Sequence, residues 1–395
     1  MPSIAPTLPG LYWNTDAATQ GEVPYGGIPA FIGRVSASAD PTPAAVESWS
    51  QFQQRFGAAT GFLSPAVRGY FENGGARCMV VPLSYQDDGN VDLDALDRTL
   101  FAMDDISLLV APGLSDLTLQ TALVDLAGRM GDRFVVLDAP QQQSASADAA
   151  VAATIGHAEA LQQGCDSRLA ALYFPWVMVD PWPGGPTRAS FVPPSGHMAG
   201  IYATTDAGQG VHVAPANAVI EGIYDLRFLL TQEQMEALYP RPSLDETGRL
   251  AAPSINCLRA LPGRGMRPWG ARTLSTDPDW LHVSVRRLII DLQRWLTRNL
   301  EAFVFEPNDT LLRIRLLRAM EQHLSERYMK GALVGETMPD AFTLKCDAEN
   351  NPPELAEAGM LVVDVGVAPA VPREFLVLRL VHQSEGVTTT SINPA

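Results

Sequence analysis

From Ala30 to Asp180 the chain alternates short, wholly apolar runs with amphipathic stretches of helical period, and few folds accept that pattern. "AFIGRV" (30–35), "RCMVVPL" (77–83), "ISLLVAPG" (106–113), "RFVVLDAP" (133–140) and "RLAALYFPWVMVD" (168–180) read as strands covered on both faces, because none shows the in–out alternation of a half-wet strand. Between them "WSQFQQRFG" (49–57), "PAVRGYFENGG" (65–75), "LTLQTALVDLAGRMGD" (117–132) and "ADAAVAATIGHAEAL" (147–161) read as helices, the second stopped at Asn73-Gly74-Gly75. Strand–helix–strand alternation of this kind predicts an α/β fold with a mostly parallel sheet.

The flanks have another character. Residues 1–30 hold five prolines and four glycines around one strand-like island, Leu11-Tyr12-Trp13. Such a segment carries too little apolar surface to fold alone, and its prolines keep it extended. Residues 181–250 read as a Pro/Gly-rich stretch, a helical piece near 213–222 and a polar, turn-rich segment. Beyond Ser275 a helix is predicted from about Val285 to Leu300, with Val285, Leu288, Leu292 and Trp295 on one face and Arg287, Asp291, Arg294 and Arg298 on another. Asn308 or Asp309 can cap a second helix, whose expected inward stripe is Ile314, Leu317, Leu324 and Tyr328 and which Gly331 ends. Three strand candidates follow at 342–347, 359–369 and 373–383.

Charge and cysteine usage narrow the function classes. A net charge of −16 argues against nucleic acid as a partner. Its distribution is uneven: residues 281–330 sum to +3, leaving −19 elsewhere, so the chain can present opposite signs to two surroundings. No apolar run approaches the ~20 residues of a membrane-spanning helix. The first basic residue is Arg34, so no positively charged leader opens the chain, and synthesis in the cytoplasm is expected. Cys78, Cys165, Cys257 and Cys346 lie more than 80 residues apart, without metal-ligand or redox spacing.

Candidate chemical motifs are weak. "LRALPGRGMRPWGARTLS" (258–275) sets Arg264, Arg267 and Arg272 among glycines around Trp269, as a phosphate loop does, yet no Gly-Lys-Ser/Thr is present and Pro268 stands where a helix would have to start. A turn whose arginines pair with acids of another element is the better reading. "PPSGHMAG" (193–200) places Ser195 two residues from His197, the seed of an alternative reading as an α/β hydrolase; four of its eight residues are Pro or Gly, which favours a rigid surface loop. The other histidines lack metal-ligand spacing, so no metal, cofactor or catalytic residue is expected. A third possibility is a monomeric binding module. Arg313, Arg315 and Arg318 on the second helix are either a wet face or a surface for an acidic protein partner.

Longer stretches carry a likeness. "PGLYWNTD", "IPAFIGR", "VRGYFENGGARCMVV" (67–81), "DDISLLVAPGLSD" (104–116), "GDRFVVLDAP" (131–140), "VPPSGHMAGIYATTDAGQGVHVAPAN" (192–217), "LPGRGMRPWGARTLSTDPDW", "GALVGETMPDAFTLKCDAENNPPE" and "PREFLVLRL" occur in this order, and the chain resembles the tail sheath proteins of contractile phage tails and injection systems. "LYWNTD" is more polar than the regular strand of related sheaths, and the segment after Leu380 is longer. The resemblance implies an extended N-terminal arm (1–30), an outer α/β domain with a subtilisin-like family label and no protease activity (31–260), an inner α+β C-terminal domain (261–380) and a tail (381–395). It implies hexameric rings stacked around an inner tube, with baseplate and terminator or cap proteins at the ends, in a phage virion or injection particle, and no direct contact with nucleic acid or membrane. Apolar terminal segments set off by Pro and Gly suit strand addition to neighbouring copies. Leu11, Tyr12 and Trp13 are then the N-terminal donor strand, and Phe375, Leu376, Val377, Leu378, Arg379 and Leu380 the C-terminal one. Gly26, Gly27, Pro369 and Pro372 are the expected hinges, Arg313, Arg315 and Arg318 the tube-facing helix, and Arg264, Arg267, Trp269 and Arg272 a domain-joint loop.

Overall fold

A computed structural model describes residues 28–36, 41–57, 61–85, 90–141, 146–307, 309–372, 374, 378–383 and 386–391. In chain order these form β1 (Ile28–Gly33), β2 (Ala44–Val46), α1 (Trp49–Phe56), α2 (Leu63–Glu72), β3 (Cys78–Pro82), α3 (Leu93–Phe101), β4 (Ile106–Val110), α4 (Leu117–Met130), β5 (Phe134–Asp138), α5 (Ala147–Gly164) and β6 (Ala170–Phe174). There follow β7 (Val177–Val179), β8 (Ser190–Val192), α6 (Ser195–Gly208), β9 (Asp225–Leu226), α7 (Gln232–Leu238), β10 (Asn256–Leu261) and β11 (Gly265–Pro268). The C-terminal part contains α8 (Val283–Leu300), α9 (Thr310–Met329), α10 (Met338–Ala341), β12 (Phe342–Lys345), α11 (Pro353–Glu357), β13 (Asp364–Val367), β14 (Leu378–Gln383) and β15 (Gly386–Ser391).

Eight strands make one sheet in the order β11-β10-β6-β5-β4-β1-β3-β2, parallel throughout except for the two edge strands. The apolar runs are its centre: every residue of β4, β5 and β6 is buried, as double-sided cover requires. The chain winds one way from β1 to β3 and the other way from β4 onward. Right-handed crossovers then put α2 on one face and α3, α4 and α5 on the other. Side chains cap the helices where the sequence supplies them: Asp92, Asp116 and Ser146 accept bonds from the first turns of α3, α4 and α5.

Four expectations change. The strand expected over 168–180 is two, β6 and β7, parted at Pro175, which has no N–H for a ladder. The helical piece expected near 213–222 is a run of turns and bends whose backbone bonds to β11, through Asn217 N–H to Pro268 O and Ile220 N–H to Met266 O, in place of a helical ladder. "PPSGHMAG" opens the buried helix α6 and is no surface loop. Finally, the division expected at 260/261 falls inside the β10–β11 hairpin. The main core runs on through Leu274, Val283 and Ile290, and a second core begins at Leu292, joining the end of α8 to Leu316, Met320 and Leu324 of α9 and Val367 of β13. Helix α8 therefore belongs to both cores, a rod ~27 Å long between them.

Candidate functional site: the seam between the two cores and the root of the C-terminal arm

Doubly wound sheets usually bind ligands in the crevice at the carboxyl ends of their strands, where the winding reverses. Here that place is filled. Phe62 lies so close to Gly113 that a Cβ there would sit 2.3 Å from its ring, and φ at Gly113 is +74°. The same ring meets Trp176 edge-on at 5.0 Å, and Trp176 donates to Ala139 O at 3.0 Å.

Ser195 and His197 stand beside this plug, fully buried. Asp138, at the end of β5, accepts from Ser195 Oγ (2.7 Å), Ser195 N–H (2.9 Å) and Gly113 N–H (3.2 Å), so it knots the Gly113 loop and the start of α6 to the sheet. Burial raises its carboxyl to about 6 against those stabilising bonds. Ser195 is thus engaged with Asp138 and not with His197, whose ring nitrogens have no partner among the described residues and whose burial pushes it down to about 4. A neutral imidazole packed over Gly69, unlinked to the hydroxyl, is not a nucleophile–base pair, and the hydrolase reading loses its two residues.

The seam between the cores is ionic. Along α8 no residue before Arg298 is exposed, so Arg287, Asp291 and Arg294 of the charged face are buried and Arg298 alone of that set is exposed. Arg287 makes a bidentate pair with Asp206 of α6 (2.8 and 2.5 Å) and lies 4.8 Å over the Tyr202 ring. Burial works against its charge, but Asp206 more than compensates and holds its pKa above the ordinary value. Arg294 reaches the start of β4 and the loop before β5, donating to Ile106 O (2.6 Å) and Asp132 Oδ2 (2.7 Å). Asp291 sits among Arg327, Arg287 and Arg294, yet burial outweighs their attraction and lifts its carboxyl to about 7. On α9, Arg327 donates to His323 (3.4 Å), whose ring stacks on Trp295 of α8 at 3.7 Å.

The expected joint loop divides. Arg272 is fully buried and bonds Glu374, Pro240 O (2.6 Å) and Ser254 Oγ (3.2 Å), stacking 3.9 Å over Tyr239. It pairs with an acid of another element, as the turn reading requires. Arg267 instead donates to backbone oxygens of Arg264 and Asn217, and Trp269 lies partly exposed under Arg259. Arg264 enters that bonding through its backbone oxygen.

On α9 the buried stripe is Leu312, Leu316, Met320, His323, Leu324 and Arg327; of the expected line only Leu324 is on it, Leu317 and Tyr328 are half-buried, and Ile314 is exposed. Arg315 and Arg318 are exposed, Arg315 paired with Glu306 and lying over Phe303, while Arg313 is half-buried. Pro369 is buried and bracketed by the bonds Ala368 N–H to Ala341 O and Ala370 N–H to Ala332 O; Pro372 is half-buried. Leu378, Arg379 and Leu380 lie in β14, which pairs with β15 of its own chain, a strand the sequence reading did not anticipate. Leu11, Tyr12, Trp13, Gly26, Gly27, Phe375, Leu376 and Val377 lie outside the described residues.

Asp206, Asp132, Asp138, Tyr239 and Glu374 were not foreseen. Only α8 carried a signal: Leu288, Ile289 and Ile290 in succession spread apolar surface over more than half its circumference, leaving no room for a wet face.

Residues 89–274 match the phage tail sheath protein central domain, and residues 275–383 the phage tail sheath C-terminal domain. A putative prophage major tail sheath protein of Pseudomonas aeruginosa (strain UCBPP-PA14) is 32% identical over 179 residues; the match covers 45% of this chain and only 40% of that relative. The helical sheath of the anti-feeding prophage in its contracted state is 28% identical with a TM-score of 0.73, over 96% of this chain and all of that one. The contracted sheath complex of the extracellular contractile injection system PVC is 27% identical with a TM-score of 0.74, over 97% and 99% of the two chains.

Proposed function

This chain belongs to the phage tail sheath protein family, and from that membership we propose that it is the structural subunit of a contractile sleeve. Copies stack as hexameric rings around an inner tube, between a baseplate and a terminator or cap. On contraction the sleeve drives the tube through a target envelope, as part of a phage virion or injection particle assembled in the cytoplasm. The observation that carries this reading is the likeness to solved contracted sheaths along nearly the whole of both chains.

The physical reading agrees. The body is a rigid block whose ligand crevice is plugged by Phe62 and Trp176, so its role is mechanical and not enzymatic; the subtilisin-like label describes its fold alone. The arms carry the connections between copies. Each added strand supplies hydrogen bonds of ~0.5–1.5 kcal/mol net, and each buried leucine or phenylalanine ~1.5–3 kcal/mol. A link of that strength holds while blocks rotate. Contraction then requires only a modest gain per subunit, multiplied along the sleeve. The exposed arginines of α9 face the tube.

The test is polymerisation. The purified chain, alone and with its inner tube protein, is imaged by negative stain, with a deletion of residues 1–20 alongside. Tubular sleeves from the full chain and folded, unpolymerised subunits from the deletion are expected. Full-length sleeves from the deletion would remove the N-terminal arm from the account, and no polymer at all would remove the sheath role.

A further inference from the structure

Where the C-terminal arm leaves the body, one carboxylate is gripped from two sides. Glu374 Oε1 accepts from Tyr239 OH (2.6 Å) and Arg272 Nε (3.1 Å), and Oε2 accepts from Arg272 Nε (3.1 Å) and Nη2. His282 Nδ1, at the start of α8, stands 3.7 Å away. Burial disfavours the Glu374 charge, but the bonds from Arg272 and Tyr239 outweigh it and hold the carboxyl below its ordinary value. The remaining donors of Arg272 go to Pro240 O and Ser254 Oγ. Its backbone is locked in turn: Arg272 N–H donates to Asn256 Oδ1 and Asn256 Nδ2 to Arg272 O, both at 2.8 Å. Asn256 belongs to β10 and pairs beside β6 inside the main sheet.

We propose that Arg272 and Tyr239 fix Glu374 as the root of the C-terminal arm, so that a pull on the arm is delivered through Arg272 and Asn256 into the central sheet. The traction half of this rests on the reading that the arm is lent to a neighbouring copy. The backbone on either side of Pro369 is tethered to Ala341 and Ala332, so the body extends at least to residue 370. Charge-assisted bonds, three of them from one rigid guanidinium, resist a sideways pull better than a single neutral bond. Arg272 and Tyr239 are therefore positioning residues for a moving part.

A glutamate-specific endoproteinase tests the root directly, because it must draw Glu374 into its own pocket to cut the 374–375 bond. Glu246, exposed in a turn, is the internal reference. On the intact chain, cutting at 246 is expected to be at least tenfold faster than at 374. Tyr239→Phe and Arg272→Met should each raise cutting at 374 tenfold or more relative to 246. Equal rates in the unaltered chain, or an unchanged ratio in both variants, overturns the fixed root; Tyr239→Phe keeps the test open if Arg272→Met fails to fold. Sleeves of either variant should assemble and then fragment on triggered contraction, and contracted sleeves of full length would overturn the traction half. If the unaltered chain forms no sleeves, the sheath reading and the traction half fall together, while the cleavage ratio still decides the root.

Discussion

Helices α8 and α9 look alike as sequences and meet opposite fates. Both mix leucines with arginines at helical spacing. Yet α8 buries Arg286, Arg287 and Arg294 against the α/β body, whereas α9 leaves Arg315 and Arg318 in water. The difference lies in what each helix faces. The far side of α8 meets Asp206, Asp132 and the carbonyl at the start of β4, which satisfy guanidinium groups in place of water. The far side of α9 meets no such surface among the described residues. A basic helix is thus a seam or a docking face according to the acids across from it, and those acids come from distant parts of the chain.

That contrast can be broken by substitution. The largest effect is expected at Arg287→Ala, which leaves Asp206 buried and unpaired; chemical denaturation should register a loss of ~3–5 kcal/mol. A loss below about 1 kcal/mol would mean the seam is no more than a surface pair. Asp291→Asn sharpens the comparison through pH. The folded carboxyl is raised to about 7 from an ordinary value near 4, so its protonation favours the folded state below that range and the benefit fades as pH rises toward 7. The variant, which mimics the protonated form, should therefore gain in melting temperature over the parent between pH 5 and pH 8. Parallel pH profiles would place a charged Asp291 in the seam. The smallest effect on stability is expected for Arg313, Arg315 and Arg318 changed together to Glu: about 0.5 kcal/mol per site, as for other surface residues, with the Arg315–Glu306 pair adding at most ~1 kcal/mol. Co-sedimentation with tube protein should nevertheless fall sharply. Unchanged co-sedimentation would move the tube-facing surface elsewhere.

How far the sequence could be read follows from the same contrast. The five central strands β1, β3, β4, β5 and β6 were legible to within a few residues, because double-sided burial imposes wholly apolar runs that little else explains, whereas β2, β10 and β11 were not read as strands. Helix α6 was hidden. Its Gly196 looks like a loop residue, but a Cβ there would lie 2.4 Å from Ala66 Cα, so the glycine serves the close crossing of α2 and α6. The buried face of α9 was misread because His323 and Arg327 lie on it, drawn inward by Trp295 and the seam. The Arg272–Glu374 pair joins residues 102 positions apart, and no local pattern announces such a partner. Local pattern reached elements whose surroundings are uniform and stopped where a specific distant partner decides.

The measurement that tests the account most directly is a high-resolution electron cryo-microscopy map of sleeves in both long and short states. It should show Leu11–Trp13 and the 375–380 segment hydrogen-bonded into sheets of adjacent copies in both states, with Glu374 still seated on Arg272. Termini folded back onto their own subunit in both states would contradict it.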